Sequence, residues 1–214
     1  MDPFVGSGST LVAAKDVGRN AVGFDLQQKY IDLSNIRLSE SFDFMEAKQI
    51  AICDDARRIP DYLNDNSVKL SVTSPPYSNL LNRKRKNKSR RGNNRRNDQY
   101  DKIEQYSQDT RDIGILSIKE FTEEIANIYD NFRRTLKPNG HVIINVADMW
   151  WENERIPIHI YIIQALEKVG YKFRNTIIWD RTNIVNQIGI FGWPSNYITM
   201  GTTFEYLLHF MNNK

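Results

Sequence analysis

Short apolar runs separated by helix-length stretches recur along the chain, and this pattern predicts buried strands alternating with helices. Ala21 to Leu26, Gln49 to Cys53, Val68 to Val72 and His141 to Val146 have the length and continuity of strands covered on both faces. Phe173 to Asp180 and Phe204 to Met211 supply two more. Between them, Leu11 to Val17, Gln27 to Leu38 and a stretch opened by Pro157 read as helices. The clearest helix start is Ser117-Ile118-Lys119-Glu120, a capping box, after which Phe121, Ile125, Ile128, Phe132 and Leu136 mark one face. Such alternation implies an α/β fold with parallel pairing and helices on both faces of the sheet. The C-terminal ends of the strands then share one rim, where ligands of such sheets bind.

Four places along that rim carry candidate chemistry. At the start, Asp2-Pro3-Phe4-Val5-Gly6-Ser7-Gly8 reads as a strand and a glycine turn, with Gly6 and Gly8 permitting close approach of a ligand and Ser9 or Thr10 capping the next helix. Asp25 ends the following strand 17 residues after Gly8, close to the spacing at which an acid accepts hydrogen bonds from ribose hydroxyls; its competing role is to cap the helix from Gln27. The strand from Gln49 ends in Asp54-Asp55-Ala56-Arg57, and the one from Val68 ends in Thr73-Ser74-Pro75-Pro76-Tyr77. Two consecutive prolines forbid both helix and ladder, so the chain must stop there rigidly. Ser74 offers a hydroxyl, Pro75 a carbonyl and Tyr77 an aromatic face, a set suited to a flat amino-bearing base; the competing reading is a plain strand-ending turn.

With 214 residues and 40% hydrophobic content, one core and a single domain over residues 1–214 are expected. Cys53 is the only cysteine, no apolar run of about 20 residues occurs, and no signal peptide is recognisable, so a cytoplasmic protein without membrane association is expected. The formal charge of +3 conceals a local concentration. Arg83, Lys84, Arg85, Lys86, Lys88, Arg90, Arg91, Arg95 and Arg96 bring nine positive charges with no acid between them, and removing them leaves −6 for the rest. No apolar residue occurs from Asn82 to Gln99, so this segment cannot bury a core; a loop over residues 82–112 is expected to be mobile without ligand and to contact a polyanion, against the alternative of a solvated loop. Arg181 to Thr203 reads as a long polar loop containing Trp193 and Tyr197, and Trp150 and Trp151 as packing or rim aromatics rather than base-stacking groups.

Taken together, Asp2-Pro3-Phe4-Val5-Gly6-Ser7-Gly8, Gly18-Arg19-Asn20-Ala21-Val22-Gly23-Phe24-Asp25 and Thr73-Ser74-Pro75-Pro76-Tyr77 resemble the DNA methyltransferases that modify exocyclic amino groups. The resemblance extends through Leu136 to Gly140, Ile177 to Asp180 and Phe204 to Phe210. It implies a Rossmann-like fold dependent on S-adenosylmethionine, with a mostly parallel seven-stranded sheet and an antiparallel last strand. It also implies catalytic roles for Ser74, Pro75, Pro76 and Tyr77, and cofactor contacts from Asp2, Pro3, Phe4, Gly6, Ser7, Gly8, Asp25, Leu26, Asp55 and Ala56. The nine basic residues would bind double-stranded DNA, and no metal is required.

In the family, serine at the first tetrapeptide position is more usual for cytosine N4 and an acid or amide for adenine N6, so a cytosine-N4 enzyme of the restriction-modification type is expected. Adenine-N6 methylation, an RNA enzyme acting on a guanine amino group and a non-catalytic DNA-binding subunit remain alternatives. Family members with this motif order carry a cofactor-closing helix before the Asp-Pro-Phe strand, whereas here Met1 immediately precedes Asp2. A partner chain, a second copy or upstream residues are therefore expected to complete the pocket.

Overall fold

The computed structural model describes residues 1–41, 46–77, 109–151, 154–182, 190–193, 197–200 and 202–214. Strands β1 (Ala21–Asp25) and β2 (Gln49–Cys53) pair in parallel, with α1 (Ser9–Asp16) and α2 (Gln28–Glu40) packed beside them. A second sheet has the order β3 (Val68–Thr73), β4 (Leu136–Val146), β10 (Phe204–Asn212), β7 (Tyr171–Asp180). In it β3 and β4 run parallel, and β10 runs antiparallel to both β4 and β7. The antiparallel last strand is thus present.

Met1 and Asp2 lie between the two sheets. The Asp2 amide donates to the Val22 carbonyl at 2.9 Å, the Phe24 amide donates to Asp2 at 2.9 Å, and the Val72 amide donates to Met1 at 3.0 Å. The expected strand over Asp2 to Val5 is reduced to one parallel bridge, Asp2 with Gly23. Pro3 has no N–H to continue the ladder, and the Phe4 amide turns back to the Asp2 carboxylate, so the backbone leaves the sheet at once. The described strands form a pair and a quartet joined through these two residues, together with two further two-stranded sheets.

One face of the quartet packs under α3 (Ile59–Tyr62), α4 (Ile118–Phe132) and α5 (Ile158–Lys168). Val142, Ile144, Val146, Leu208 and Phe210 meet Phe121, Ile125 and Phe132 there, all essentially sealed from water. The helix α4 forms as its capping box requires, with the Ser117 hydroxyl and the Glu120 carboxylate satisfying each other's backbone donors. Register places Leu70, Ile143, Leu207 and Ile177 on the opposite face, and Leu70 and Ile177 there stay 42% and 47% exposed. Two hydrogen-bonded polar sets share that face: His141, His209 and Asn175, and Asn145, Glu205 and Arg181.

Two short hairpins lie beyond the elements expected. β5 (Met149–Trp151) pairs with β6 (Glu154–Ile156), and β8 (Ile190–Trp193) with β9 (Tyr197–Met200), both antiparallel. The supposed loop from Arg181 to Thr203 therefore contains regular structure. Among the described residues no helix is long and apolar enough to cross a membrane.

Candidate active site

The glycine turn and the ends of β1, β2 and β3 surround a cavity of about 280 Å³. Pro3, Phe4, Gly6 and Ser7 line it from the turn, Asp25 and Leu26 from the end of β1, and Asp55 and Ala56 from the end of β2. Ser74, Pro75, Pro76 and Tyr77 enter the same cavity from the end of β3. Parallel strands impose this convergence, because neighbouring strands must all point the same way.

Asp2 and Gly8 stand behind the wall rather than on it. The Asp2 side chain is buried and accepts three hydrogen bonds: from the Phe4 amide at 3.0 Å, the Thr10 hydroxyl at 2.6 Å and the Thr73 hydroxyl at 2.6 Å. It thereby ties the glycine turn, the first helix and the residue before Ser74 to one carboxylate. Burial pushes its pKa up, and the hydrogen bonds from Thr10, Thr73 and Phe4 only partly oppose this. Ser9 and Thr10 both lie inside α1 and neither caps it; Gly8 occupies that position with φ 82° and no side-chain cap.

The two glycines of the turn serve different ends. A Cβ at Gly8 would sit 2.7 Å from the Ser34 hydroxyl, so this glycine lets α2 approach the turn. A Cβ at Gly6 would meet nothing within 4 Å, which leaves the open approach to a ligand on this side of the turn. Arg37 of α2 clamps the segment from behind, donating to the Ser7 carbonyl at 2.7 Å and to its hydroxyl at 2.9 Å. Nothing in the sequence pattern singled out Ser34 or Arg37, because their partners lie 28 to 30 residues away.

Asp25 accepts from the Gly6 amide at 3.1 Å through one oxygen and from the Gln27 amide at 2.9 Å through the other. The expected cap of α2 is not formed by Asp25: Gln27 holds that position with no side-chain cap, while the Asp25 carboxylate fixes the Gln27 amide and lines the cavity with lone pairs to spare. Burial raises its pKa, and the negative charges of Asp112 and Asp2 add to the effect. Asp55 caps a 3₁₀ turn, Ala56–Arg58, accepting from the Arg57 amide at 2.9 Å, and pairs with the Arg57 guanidinium at 2.7 Å.

At the end of β3, Thr73 is anchored to Asp2 while Ser74 is exposed to the cavity and Pro75 is buried. Tyr77 is held from the opposite side, its phenolic oxygen accepting a hydrogen bond from the Ala147 amide at 3.0 Å, just beyond β4. The turn is thus pinned at both ends, with Ser74 exposed between them.

The far wall was not foreseen. Arg111, Asp112 and Ile113 line the cavity, so the end of the supposed 82–112 loop belongs to the pocket. Asp112 is buried, accepts from the Gly114 amide at 2.7 Å, and has its pKa raised first by burial. Tyr30 and Gln27 complete the side next to Asp25. The nine basic residues, Arg83 to Arg96, lie outside the described residues.

The pocket's chemistry suits an adenosine-bearing cation. Phe4, Leu26, Ile113 and Ile128 offer apolar flanks for a flat ring, while Asp25, Asp54, Asp55 and Asp112 exceed the cations Arg57 and Arg111 around it. An acid-rich rim of this kind favours positive charge.

Comparison with known proteins agrees first on the class. The fold resembles S-adenosylmethionine-dependent methyltransferases: one from Methanosarcina mazei aligns over 98% of this chain and 90% of its own, with a TM-score of 0.55 and 10% identity. A family model described as DNA methylase matches residues 1–36 and 68–214, and the chain belongs to this family of S-adenosylmethionine-dependent, exocyclic-amino DNA methyltransferases. Among curated relatives, the type II beta methyltransferase M.BslI of Bacillus sp. (strain NEB-606) is 26% identical over 137 residues, covering 59% of this chain and 12% of that protein. The type II methyltransferase M.HpaI of Haemophilus parainfluenzae is 30% identical over 69 residues, covering 32% of this chain and 21% of its own. The chain spans a small fraction of these relatives' length.

Proposed function

We propose that this chain transfers a methyl group from S-adenosylmethionine to the exocyclic amino group of a flipped-out base in double-stranded DNA, with cytosine N4 preferred to adenine N6. The observation that carries the reading is the shared cavity of Asp25, the glycine turn and the Ser74–Tyr77 turn. When bound, the cofactor supplies an electrophilic methyl group. Asp25 accepts hydrogen bonds from the ribose hydroxyls, and Asp55 and Ala56 receive the adenine side. An exocyclic amine conjugated to its ring is a poor nucleophile. Ser74 and the Pro75 carbonyl accept hydrogen bonds from the amino protons, so that the nitrogen lone pair is directed at the methyl group. Tyr77 stacks on a base that could not enter this pocket while paired. The preference for cytosine rests on Ser74 in place of an acid or amide.

Incubating the chain with cofactor and duplex DNA, then analysing the nucleosides by mass spectrometry, should yield N4-methylcytosine. A product containing only N6-methyladenine would reverse the substrate assignment, and no modified nucleoside at all would overturn the function. A pocket completed by a second copy would show in the same assay as turnover per chain that rises with protein concentration.

Asp25→Ala is expected to weaken cofactor binding by about 1.5 to 3 kcal/mol, the range for a hydrogen bond to a charged group, as read by calorimetry. Because burial raises the folded-state pKa of Asp25, the accepting carboxylate is lost at a higher pH than for an ordinary aspartate. Cofactor affinity should therefore fall as pH drops through that raised value, and the Ala variant should lack this dependence.

The segment Arg83 to Arg96 is proposed to meet the DNA backbone with little sequence discrimination. Full engagement of its nine charges would give a slope of about −8 in log affinity against log salt. Neutralising four of them should flatten the measured slope, and an unaltered slope would place the segment in solvent.

A further inference from the structure

Just past β4, on the side of the site away from the glycine turn, three residues form a polar cluster. Asp148 follows Ala147 directly, its side chain is only 10% exposed, and one carboxylate oxygen lies 2.6 Å from Nδ1 of His159 in the first turn of α5. A carboxylate accepts only, so Nδ1 carries the proton. The His159 ring stacks on Tyr206 of β10, with centroids 4.1 Å apart and planes 18° from parallel. The Tyr206 hydroxyl reaches the other Asp148 oxygen at 3.5 Å, the outer limit of a hydrogen bond. Two stacked rings from two different elements therefore present their polar hydrogens side by side to one carboxylate.

This cluster adjoins the backbone segment whose Ala147 amide donates to Tyr77. The Ala147 amide aims at the Tyr77 oxygen, and its direction depends on where the chain goes after the buried Val146. Asp148 sets that direction, because its side chain is fixed to α5 and β10. We infer that His159 is a positioning residue for methyl transfer: through Asp148 and the Ala147 amide it holds Tyr77, and thus the face on which the base stacks. This rests on the methyltransferase reading given above, but the mechanical link from His159 to Ala147 does not.

The test has two readouts. In the first, amide hydrogen exchange follows Ala147 in the protein without substrate. His159→Ala should lower its protection at least tenfold relative to wild type, and His159→Asn, which keeps a donor near the place of Nδ1, should restore most of it. In the second, methyl transfer is measured for His159→Ala, Tyr77→Phe and the double variant. His159→Ala should lower kcat about tenfold with cofactor affinity within twofold, and the double variant should be no slower than the slower single one, because both act through one hydrogen bond. Unchanged protection at Ala147 would overturn the inference, as would multiplicative losses in the double variant. Protection lost in His159→Ala, in a wild-type protein that methylates no DNA, would instead sink the proposed function and leave the positioning device standing.

Discussion

Tyr77→Ala should lower methyl transfer by about 10² or more while leaving cofactor affinity within about twofold. Two losses combine in this variant. Stacking of a base on an aromatic ring is worth about 1–3 kcal/mol, which corresponds to roughly five- to 150-fold in rate if it is realised at the transition state. The second loss is positional, because the phenolic oxygen that accepts the Ala147 amide also ties the turn to β4. A reacting group displaced by about 1 Å can cost 10² on its own. Tyr77→Phe removes the tie and keeps the ring, so it should be the milder variant. Steady-state kinetics beside calorimetry separates the two. Parallel losses of transfer and cofactor affinity in Tyr77→Ala would place Tyr77 in the cofactor wall instead.

Asp2→Ala should destabilise the fold by about 3 kcal/mol or more, since it strands the Phe4 amide and the hydroxyls of Thr10 and Thr73 in the interior, at about 1–3 kcal/mol for each unsatisfied group. Asp2→Asn behaves differently. Its amide oxygen can accept from Phe4 and Thr73, and its nitrogen can donate to the Thr10 oxygen. The pH dependence follows from burial, which raises the folded-state pKa of Asp2 above its ordinary value of 3.8. Between those two values the folded state holds more protons than the unfolded one, so the stability of the native protein falls as pH rises through that window. Below it the wild type and Asp2→Asn should be close in stability, and above it Asp2→Asn should gain relative to wild type. Urea melts at several pH values read this directly. A wild type that gains on Asp2→Asn with rising pH would mean that the three donors outweigh burial.

Much of the cavity was legible because it depends on local rules. A strand must stop at Pro75-Pro76 whatever surrounds it, and an acid ending a parallel strand next to a glycine turn must face that turn. Asp25, Asp55 and Ser74 accordingly meet on one wall. The strand from Gln49 to Cys53 and the capping box at Ser117 were likewise contained in a few adjacent residues. Expectations failed where one residue was asked to do what a distant partner had already claimed. Thr10 lies inside α1 with its hydroxyl donating to Asp2, so Gly8 takes the cap position, and Ser34 packs against the side of Gly8 where a side chain would stand.

By itself, then, the sequence determined the alternation of strands and helices, the rim on which ligands gather, and the residue types presented there, since periodicity, proline and glycine act over a few residues. Only the tertiary structure decided that Asp2 is an interior tie, that Arg111 to Ile113 close the far wall, and that the two sheets are joined through Met1 and Asp2. The Asp148–His159–Tyr206 cluster behind Tyr77 belongs with these. The contacts that decide these points, Asp2 with Thr73 and Asp148 with His159 among them, join residues 71 and 11 positions apart, and long-range packing places them together only after the chain has folded; no local pattern encodes the pairing.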